Sequence, residues 1–268
     1  MVTTILDKEK KDELSWYREL LTVLIRRNLK RRYRGSFLGI YWSLLNPMAM
    51  TGLYTAIFGA AFAQYYNNST LNYILAAFTG LVVINFFSSS TAQALPSVVE
   101  NGGIVNKIRL PLFIFPLSTI GANVFQLLMG AFPLLAIVTL IISRNPLNVL
   151  ALIFPIFGLV LVCSGVGMLM SALYVFFRDL SYFYELVTFL LWMGSPIFYP
   201  PDIVPDTVSR FLVLNPILPI IESIRQIALS GNVPDPILMF HSLTSGVIVL
   251  TIGLMAFSSW RSQFMDLL

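Results

Sequence analysis

Residues 149–177 read VLALIFPIFGLVLVCSGVGMLMSALYVFF, without one Asp, Glu, Lys or Arg. About 20 apolar residues in a helix cross the ~30 Å hydrocarbon core of a bilayer, and this run exceeds that length. Within it Cys163, Gly167 and Ser171 recur every four residues, a stripe of small side chains that lets another helix approach closely. Cys163 is expected to be a packed small residue. Working outward, five more stretches match the first: Phe37–Ala63, Asn72–Leu95, Leu112–Ile142, Tyr182–Phe198 and Ile237–Ser258. Tyr182–Phe198 is the shortest. Pro47, Pro133 and Pro155 fall inside spans, where proline kinks a helix and neighbouring segments satisfy the freed carbonyls.

The rest of the composition agrees. The 268 residues are 57% hydrophobic and only 11% charged, with a mean hydropathy of +0.79. Soluble domains carry ~25% charged residues, so lipid is expected to be the main solvent here. The single cysteine excludes a disulfide framework, and the single histidine, His241, leaves no His–His metal pair. His241 lies near the end of the last span and is expected to be packed or interfacial. No phosphate-binding G-x-x-x-x-G-K-[ST] and no H-E-x-x-H occurs. Met1-Val2-Thr3-Thr4 is followed by charges from Asp7 to Glu13, and no cleaved signal peptide is expected. Ion-coupled carriers need ionisable groups along their path, yet the first four spans hold none; Glu185 in the fifth is expected to face the interface near Arg178-Asp179.

Lys and Arg set the orientation. Ten precede the first span, and alternating sides places fourteen on the N-terminal side against three on the other. Both termini are then cytoplasmic, which requires an even number of spans. The fold class is therefore all-α integral membrane, with six transmembrane helices. Residues 1–36 form a cytoplasmic N-terminal segment, 37–258 the membrane domain and 259–268 a cytoplasmic tail.

Three segments need further elements. From Glu13 to Arg34, Trp16, Tyr17, Leu20, Leu21, Leu24 and Ile25 recur at helical spacing ahead of a basic run. This predicts an amphipathic interfacial helix, apolar side into lipid and arginines toward anionic head groups. Glu100-Asn101-Gly102-Gly103-Ile104-Val105-Asn106-Lys107-Ile108-Arg109 is too long for a minimal hairpin, and either docks a soluble partner through a short helix or is a plain loop. Residues 200–236 hold seven prolines interspersed with Ile217, Leu218, Ile220, Ile221 and Ile224. They are too apolar for a solvated loop and too few to span, so two short re-entrant helices on the outer side are expected. Glu222 and Arg225, three apart, are expected to pair on a polar face. Asn67 and Asn68 fall in acceptor-like triplets, a short match that carries no weight.

Neutral polar groups stand where buried charge does not. Ser43, Asn46 and Thr51 lie in the first span, Asn85, Ser88, Ser89, Ser90, Thr91 and Gln93 in the second, Asn123 and Gln126 in the third. Amides and hydroxyls exchange hydrogen bonds with sugar hydroxyls without a counter-ion, and aromatic faces such as Tyr54, Phe58, Phe62, Phe86 and Phe87 stack on sugar rings. Singly each is helix–helix glue; together they make a channel-lining set.

Arg31-Arg32-Tyr33-Arg34-Gly35-Ser36-Phe37-Leu38-Gly39, followed by Trp42, Leu45 and Pro47, resembles the start of the first span in polysaccharide-exporting ABC-transporter permeases. Arg178-Asp179 with Ser195-Pro196-Ile197-Phe198-Tyr199-Pro200, and Leu214-Asn215-Pro216, are similar to that family's fifth span and outer segment. The resemblance implies a permease of an O-antigen-like or teichoic acid exporter in a bacterial inner membrane. Two copies of the chain would surround a channel above two copies of a separate ABC ATPase. It implies no cofactor in this chain, MgATP residing on the ATPase, and a polyprenyl-linked glycan as substrate; nucleic acid is not implied. Glu100 to Arg109 would be the coupling helix and Pro200 to Pro234 the outer gate, with Tyr199, Pro200, Asn215, Pro216, Glu222 and Arg225. Arg31, Arg32 and Arg34 are expected to meet the carrier's pyrophosphate, on charge location. A drug or lipid exporter stays open as an alternative, and a glycosyltransferase or flippase without an ATPase lacks the acidic cluster or energy source it needs.

Overall fold

Prolines and glycines, more than apolar length, decide where the helices of this chain stop. The computed structural model describes residues 2–105, 110–212, 214–231 and 233–267. In chain order the helices are α1 (Val2–Tyr33), α2 (Trp42–Phe62), α3 (Thr70–Ala94), α4 (Ser97–Glu100), α5 (Gly102–Val105), α6 (Ile114–Met129), α7 (Ala131–Ser143), α8 (Pro146–Ala151), α9 (Ile153–Phe176), α10 (Leu180–Gly194), α11 (Asp206–Leu212), α12 (Leu218–Leu229) and α13 (Pro236–Trp260). No strand occurs among the described residues.

By length and composition three helical stretches suffice to cross a membrane: Thr70–Ala94, Pro146–Phe176 and Pro236–Phe264. A fourth is the pair α6 and α7, bent by 43°. The single straight helix expected over Leu112–Ile142 is therefore two. Pro133 has no N–H to give the Met129 carbonyl, and the bend falls at Gly130, whose φ −95° and ψ −85° are not helical. Pro155 acts likewise on the Ala151 carbonyl, where α8 gives way to α9. The helix of the expected first span starts at Trp42 rather than Phe37, because Gly35 and Gly39 adopt positive φ and leave Phe37 fully exposed; neither it nor the 15-residue α10 is among those three stretches or that pair. The fifth stops at Gly194, not Phe198: Pro196 pushes the preceding Ser195 out of helical backbone, to ψ 139°.

The helix starts are capped locally. The Ser69 side chain accepts from the Asn72 amide at α3, and Asp235 accepts from the Ile237 amide at α13, where Pro236 fills the first helical position.

The core runs through α3, α6, α9 and α12, with Leu81, Ile84, Ile120, Leu159, Ile220 and Ile224 buried. Cys163 belongs to it. Gly167, from the small-residue stripe, faces Ala94 and Ile120 on α3 and α6. A second and closer approach joins α9 to α13. A Cβ at Gly158 would meet the Ser242 backbone, and one at Gly165 the Val249 carbonyl. Gly246 and Gly253 on α13 face Gly158 and Gly165 in return. Ascending numbers match ascending numbers, so α9 and α13 run parallel.

The N-terminal helix corrects the expectation that its apolar side enters lipid. Tyr17, Leu20, Leu21 and Leu24 pack with Val105, Ile114 and Phe115, and Ile25 lies against Gly121. The start of α6 is itself apolar, and α1 covers it. Trp16 remains 44% exposed. Residues 261–266 form a 3-10 turn whose Phe264 is buried against Phe176 and Phe257.

Candidate functional site

The turn between α1 and α2 builds the site. The Ser36 amide donates to the Tyr33 carbonyl at 3.1 Å, the Gly39 amide to Ser36 Oγ at 3.0 Å, and the two positive-φ glycines fold α2 back beside the end of α1. At Gly130 a side chain would collide with Ser43 Oγ and the Gln126 carbonyl, so only glycine admits α2 there. Between these features lies a cavity of about 200 Å³. Arg32 and Tyr33 enter it from α1, Asn46 from α2, Asn85, Phe86 and Ser89 from α3, Asn123 and Gln126 from α6.

Five channel-lining expectations thus converge on one cavity: Asn46, Asn85, Phe86, Ser89 and Asn123. Tyr54, Phe58 and Phe62 do not join them. They continue along the same face of α2 as a ladder, with ring centroids 6.0 and 5.8 Å apart. Tyr54 stacks on Phe198 at 3.5 Å and Phe62 lies 6.1 Å from Tyr73. Phe87, only 2% exposed, belongs to the core. It points away from the cavity because its neighbour Phe86 takes that side of α3.

The three arginines of the basic run have different fates. Arg31 Nη2 meets Glu100 Oε2 at 2.7 Å. Arg32 Nη1 donates to Asn123 Oδ1 at 2.8 Å and Gln93 Oε1 at 3.2 Å, both neutral, so no carboxylate compensates it among the described residues. Arg34 is exposed. One helical turn before Arg31, Arg27 Nη2 donates to Asn101 Oδ1 at 2.7 Å, and Asn101 Nδ2 donates to the Ser97 carbonyl at 2.6 Å. Burial lowers the pKa of Arg27, Arg31 adds to the fall and Glu100 opposes it. Burial raises the Tyr33 phenol while Arg32 opposes, so Tyr33 is a hydroxyl donor at neutral pH.

The described part of the Glu100–Arg109 segment is two short turns, α4 ending at Glu100 and α5 at Val105. Asn101, Gly102 and Val105 are buried, while Gly103 meets open space and Ile104 is half-buried. Asn106, Lys107, Ile108 and Arg109 lie outside the described residues. A second cavity of about 400 Å³ lies beside these contacts between α1 and α4, and Arg31, Arg32, Gln93 and Glu100 line it. Arg32 stands between the two cavities. The Arg31–Glu100 pair is solvent-screened, its side chains 69% and 42% exposed, and such pairs contribute about 0–1 kcal/mol. Glu100→Gln is therefore expected to shift the thermal midpoint of the purified chain by no more than a few degrees. A scan at low and high salt checks this, because the wild-type advantage should vanish at high salt.

At the opposite end, the irregular segment after α10 is held by long-range bonds. Tyr73 Oη donates to the Phe198 carbonyl at 3.0 Å, and Asn215 Nδ2 to Ser195 Oγ at 2.9 Å. Tyr199 Oη donates to the Gly194 carbonyl at 2.8 Å. The expected Glu222–Arg225 pair on a polar face does not form. Arg225 is 9% exposed and points inward, its Nε donating to the Ala76 carbonyl at 3.1 Å and its Nη2 to the Ile197 carbonyl at 3.0 Å. These two carbonyls and the space beside Gly80 hold the guanidinium inside, away from the half-buried Glu222; the Ala76 carbonyl also accepts from Thr79 Oγ1 at 2.9 Å. Pro200 and Pro216 flank this segment.

The profile of the ABC-2 type transporter family matches residues 19–229. The chain belongs to that family. The match runs from α1 through α12 of this ABC-2 type transporter chain and covers both cavities and the Arg225 contacts. Among similar proteins, the O-antigen export system permease protein RfbA of Klebsiella pneumoniae is 29% identical over 260 residues, 96% of this chain and 98% of that protein. The Myxococcus xanthus protein of the same name is 28% identical over 258 residues, 95% and 97% of the two chains. The polysialic acid transport protein KpsM of Escherichia coli is 20% identical over 236 residues, 86% and 89%.

Sequence reasoning passed over Tyr33 and the Arg27–Asn101 bond in this ABC-2 type chain. Arg27 and Arg31 stand four apart, one face of α1, which was the available signal for a shared partner; the partner itself lies 74 residues on.

Proposed function

We propose that this chain is the membrane-spanning subunit of an ATP-driven exporter that moves a lipid-linked polysaccharide, O-antigen-like in kind, across a bacterial inner membrane. Two copies of the chain act with two copies of a separate ATPase that holds MgATP. The relatives named for O-antigen export and polysialic acid transport support this substrate class. So does the cavity, in which neutral amides, a hydroxyl and an aromatic face surround a guanidinium without a carboxylate partner.

Six crossings fit the architecture. Because α9 and α13 run parallel, the chain between them must recross. At ~1.5 Å per residue, the 15 residues of α10 reach about 22 Å, and the buried Ser195–Pro200 segment supplies the rest. Irregular backbone at that depth is tolerated where protein satisfies it, as Tyr73, Asn215 and Arg225 do. On this reading α11 and α12 are outer gate helices, α4 and α5 face the ATPase, and both termini are cytoplasmic. Arg31 to Arg34 meet the carrier's pyrophosphate at the cytoplasmic mouth, with Arg32 the principal contact.

The observation that carries the reading is Arg32, held at the cavity by the neutral side chains of Asn123 and Gln93, with its guanidinium 5.8 Å from the Tyr33 ring centroid. Arg32→Gln, in cells where the chain inserts normally, should cut surface glycan about tenfold. Arg31→Gln should cut it less, because Glu100 already occupies that guanidinium. Undiminished export by the Arg31, Arg32, Arg34 triple Gln variant would defeat the phosphate role. Failure of the chain to co-purify with any phosphate-loop ATPase, or ATP hydrolysis by the chain alone, would defeat the exporter reading. Teichoic acid, drug and lipid export remain as alternatives that the identity of the accumulated substrate separates.

A further inference from the structure

α4 is four residues long, far below the ~12–15 at which a helix holds in isolation, so its place is set by what grips it. One grip is polar. Arg27 of α1 holds Asn101 at the elbow between α4 and α5, and the Ser97 hydroxyl donates to the Ala94 carbonyl at 2.6 Å. The other grip is apolar. Val98 of α4 is buried in a cluster with Met168, Ala172 and Val175 of α9, Phe257 of α13 and Phe264. None of these six residues lines either cavity.

Phe264 comes from the 3-10 turn that follows α13, beyond the end of the family profile at residue 229. Such a turn has poor hydrogen-bond geometry of its own, yet this one carries a large side chain that is 0% exposed. The Phe264 ring meets Phe257 edge-on, centroids 5.4 Å apart, and Phe176 likewise at 5.9 Å, the arrangement that aromatic pairs prefer. Arg178 Nη2 donates to the Leu267 carbonyl at 3.4 Å, which ties the turn to the connection between α9 and α10. The glycine seam already fixes α9 to α13. Of the six buried members, Phe264 alone stands on neither of those helices nor on α4.

We infer that Phe264 is a positioning residue for the α4–α5 elbow: it locks the elbow to the α9–α13 pair, so that force delivered to α4 and α5 moves those two helices together instead of flexing the elbow. The inference rests on the export reading, in which α4 and α5 face the ATPase. The α9–α13 pair suits the task because its seam is backbone against backbone and has no side chains to yield. Farther along α13, Ser245 Oγ donates to the Pro216 carbonyl at 3.3 Å, so movement of the pair is felt by the segment that leads into α12. Phe264 touches neither glycan nor nucleotide and acts only through α4.

The test has two arms. In the first, the full chain alone in nanodiscs carries a fluorescent maleimide at Gly103→Cys, where an added Cβ meets open space; the native Cys163 is buried and stays unlabelled. Phe264→Ala should speed the label's rotation, read as a fall in anisotropy, and Phe264→Leu should do so less. Leu159→Ala, buried in the other cluster, is the control: it lowers the thermal midpoint comparably and should leave the label's rotation unchanged. In the second arm the unlabelled variants are compared in cells and as complexes with the co-purifying ATPase. Phe264→Ala should cut surface glycan about threefold or more, at equal amounts of chain, while ATP hydrolysis by the complex persists. In Leu159→Ala the two activities should fall together, in step with the folded fraction. Phe264→Leu, which keeps most of the volume, serves in both arms if Ala prevents folding. An unchanged label in the Phe264 variants, or one loosened equally by Leu159→Ala, overturns the positioning role and leaves the export reading standing. A loosened label with glycan and hydrolysis falling in parallel overturns the transmission of force, again without touching the export reading. A loosened label in a chain that captures no ATPase overturns the export reading, and the force-transmitting role falls with it.

Discussion

Gly165→Ala combined with Gly253→Ala should leave little folded protein. At Gly165 an added Cβ would strike the Val249 carbonyl and stand 2.6 Å from the Leu250 amide nitrogen. At Gly253 it would strike the Gly165 carbonyl and stand 2.7 Å from the Gly165 Cα. All of these are backbone atoms, which cannot rotate aside as a side chain does, so the two helices must move apart along their whole contact. Overpacking of this kind costs about 1–3 kcal/mol per site, and separation also forfeits the dispersion of the seam. A loss of roughly 3 kcal/mol or more corresponds to about 10 °C in thermal midpoint for a domain this size. Fluorescence-detected size exclusion after a heating series reads it. Gly52→Ala is the control, because nothing lies within 4 Å of a Cβ there and alanine improves helix propensity. A double variant as stable as Gly52→Ala would show that α9 and α13 do not meet through these glycines.

The second large effect belongs to Arg225. Arg225→Met removes the donors to the Ala76 and Ile197 carbonyls and keeps most of the apolar volume. The Ile197 carbonyl, in a segment without helical hydrogen bonding, is then left unsatisfied inside the protein, and hydrogen bonds to a charged donor are worth about 1.5–3 kcal/mol. The expected loss is about 2–4 kcal/mol, with export abolished and the Ser195–Pro200 segment newly open to proteolysis. Arg225→Lys should recover little, because an ammonium does not reproduce the forked geometry that spans two carbonyls. Glu222→Gln should be nearly silent. If Glu222→Gln instead matched Arg225→Met, the ion pair expected from their spacing would hold after all, and the inward geometry of Arg225 would be wrong.

Apolar length was legible in the sequence, and so were most helix ends. α3 and α13 lie within two residues of the expected Asn72–Leu95 and Ile237–Ser258, since Ser69 and Asp235 are ordinary caps. Pro133 and Pro155 announced breaks without saying how sharp they would be. The cavity was half legible: Asn46, Asn85, Ser89 and Asn123 stood out as polar groups in greasy helices. Gln126 stood out with them, whereas Tyr33 did not, because a tyrosine in a basic run has many commoner explanations. Pairing across long separations was not legible. Cys163, Gly167 and Ser171 drew the eye at four-residue spacing, and Gly167 does meet α3 and α6, whereas the closer contact uses glycines seven apart on two helices. Arg225 misled because a local carboxylate is visible in sequence, and carbonyls 28 and 149 residues away are not.

The glycine-to-glycine seam has a consequence for biosynthesis. α13 is synthesised after every other helix of the chain, yet the bare backbone of α9 finds its cover only there. Until translation passes Gly253, α9 presents that groove to bilayer lipids, and a message truncated upstream yields a subunit that inserts but never locks.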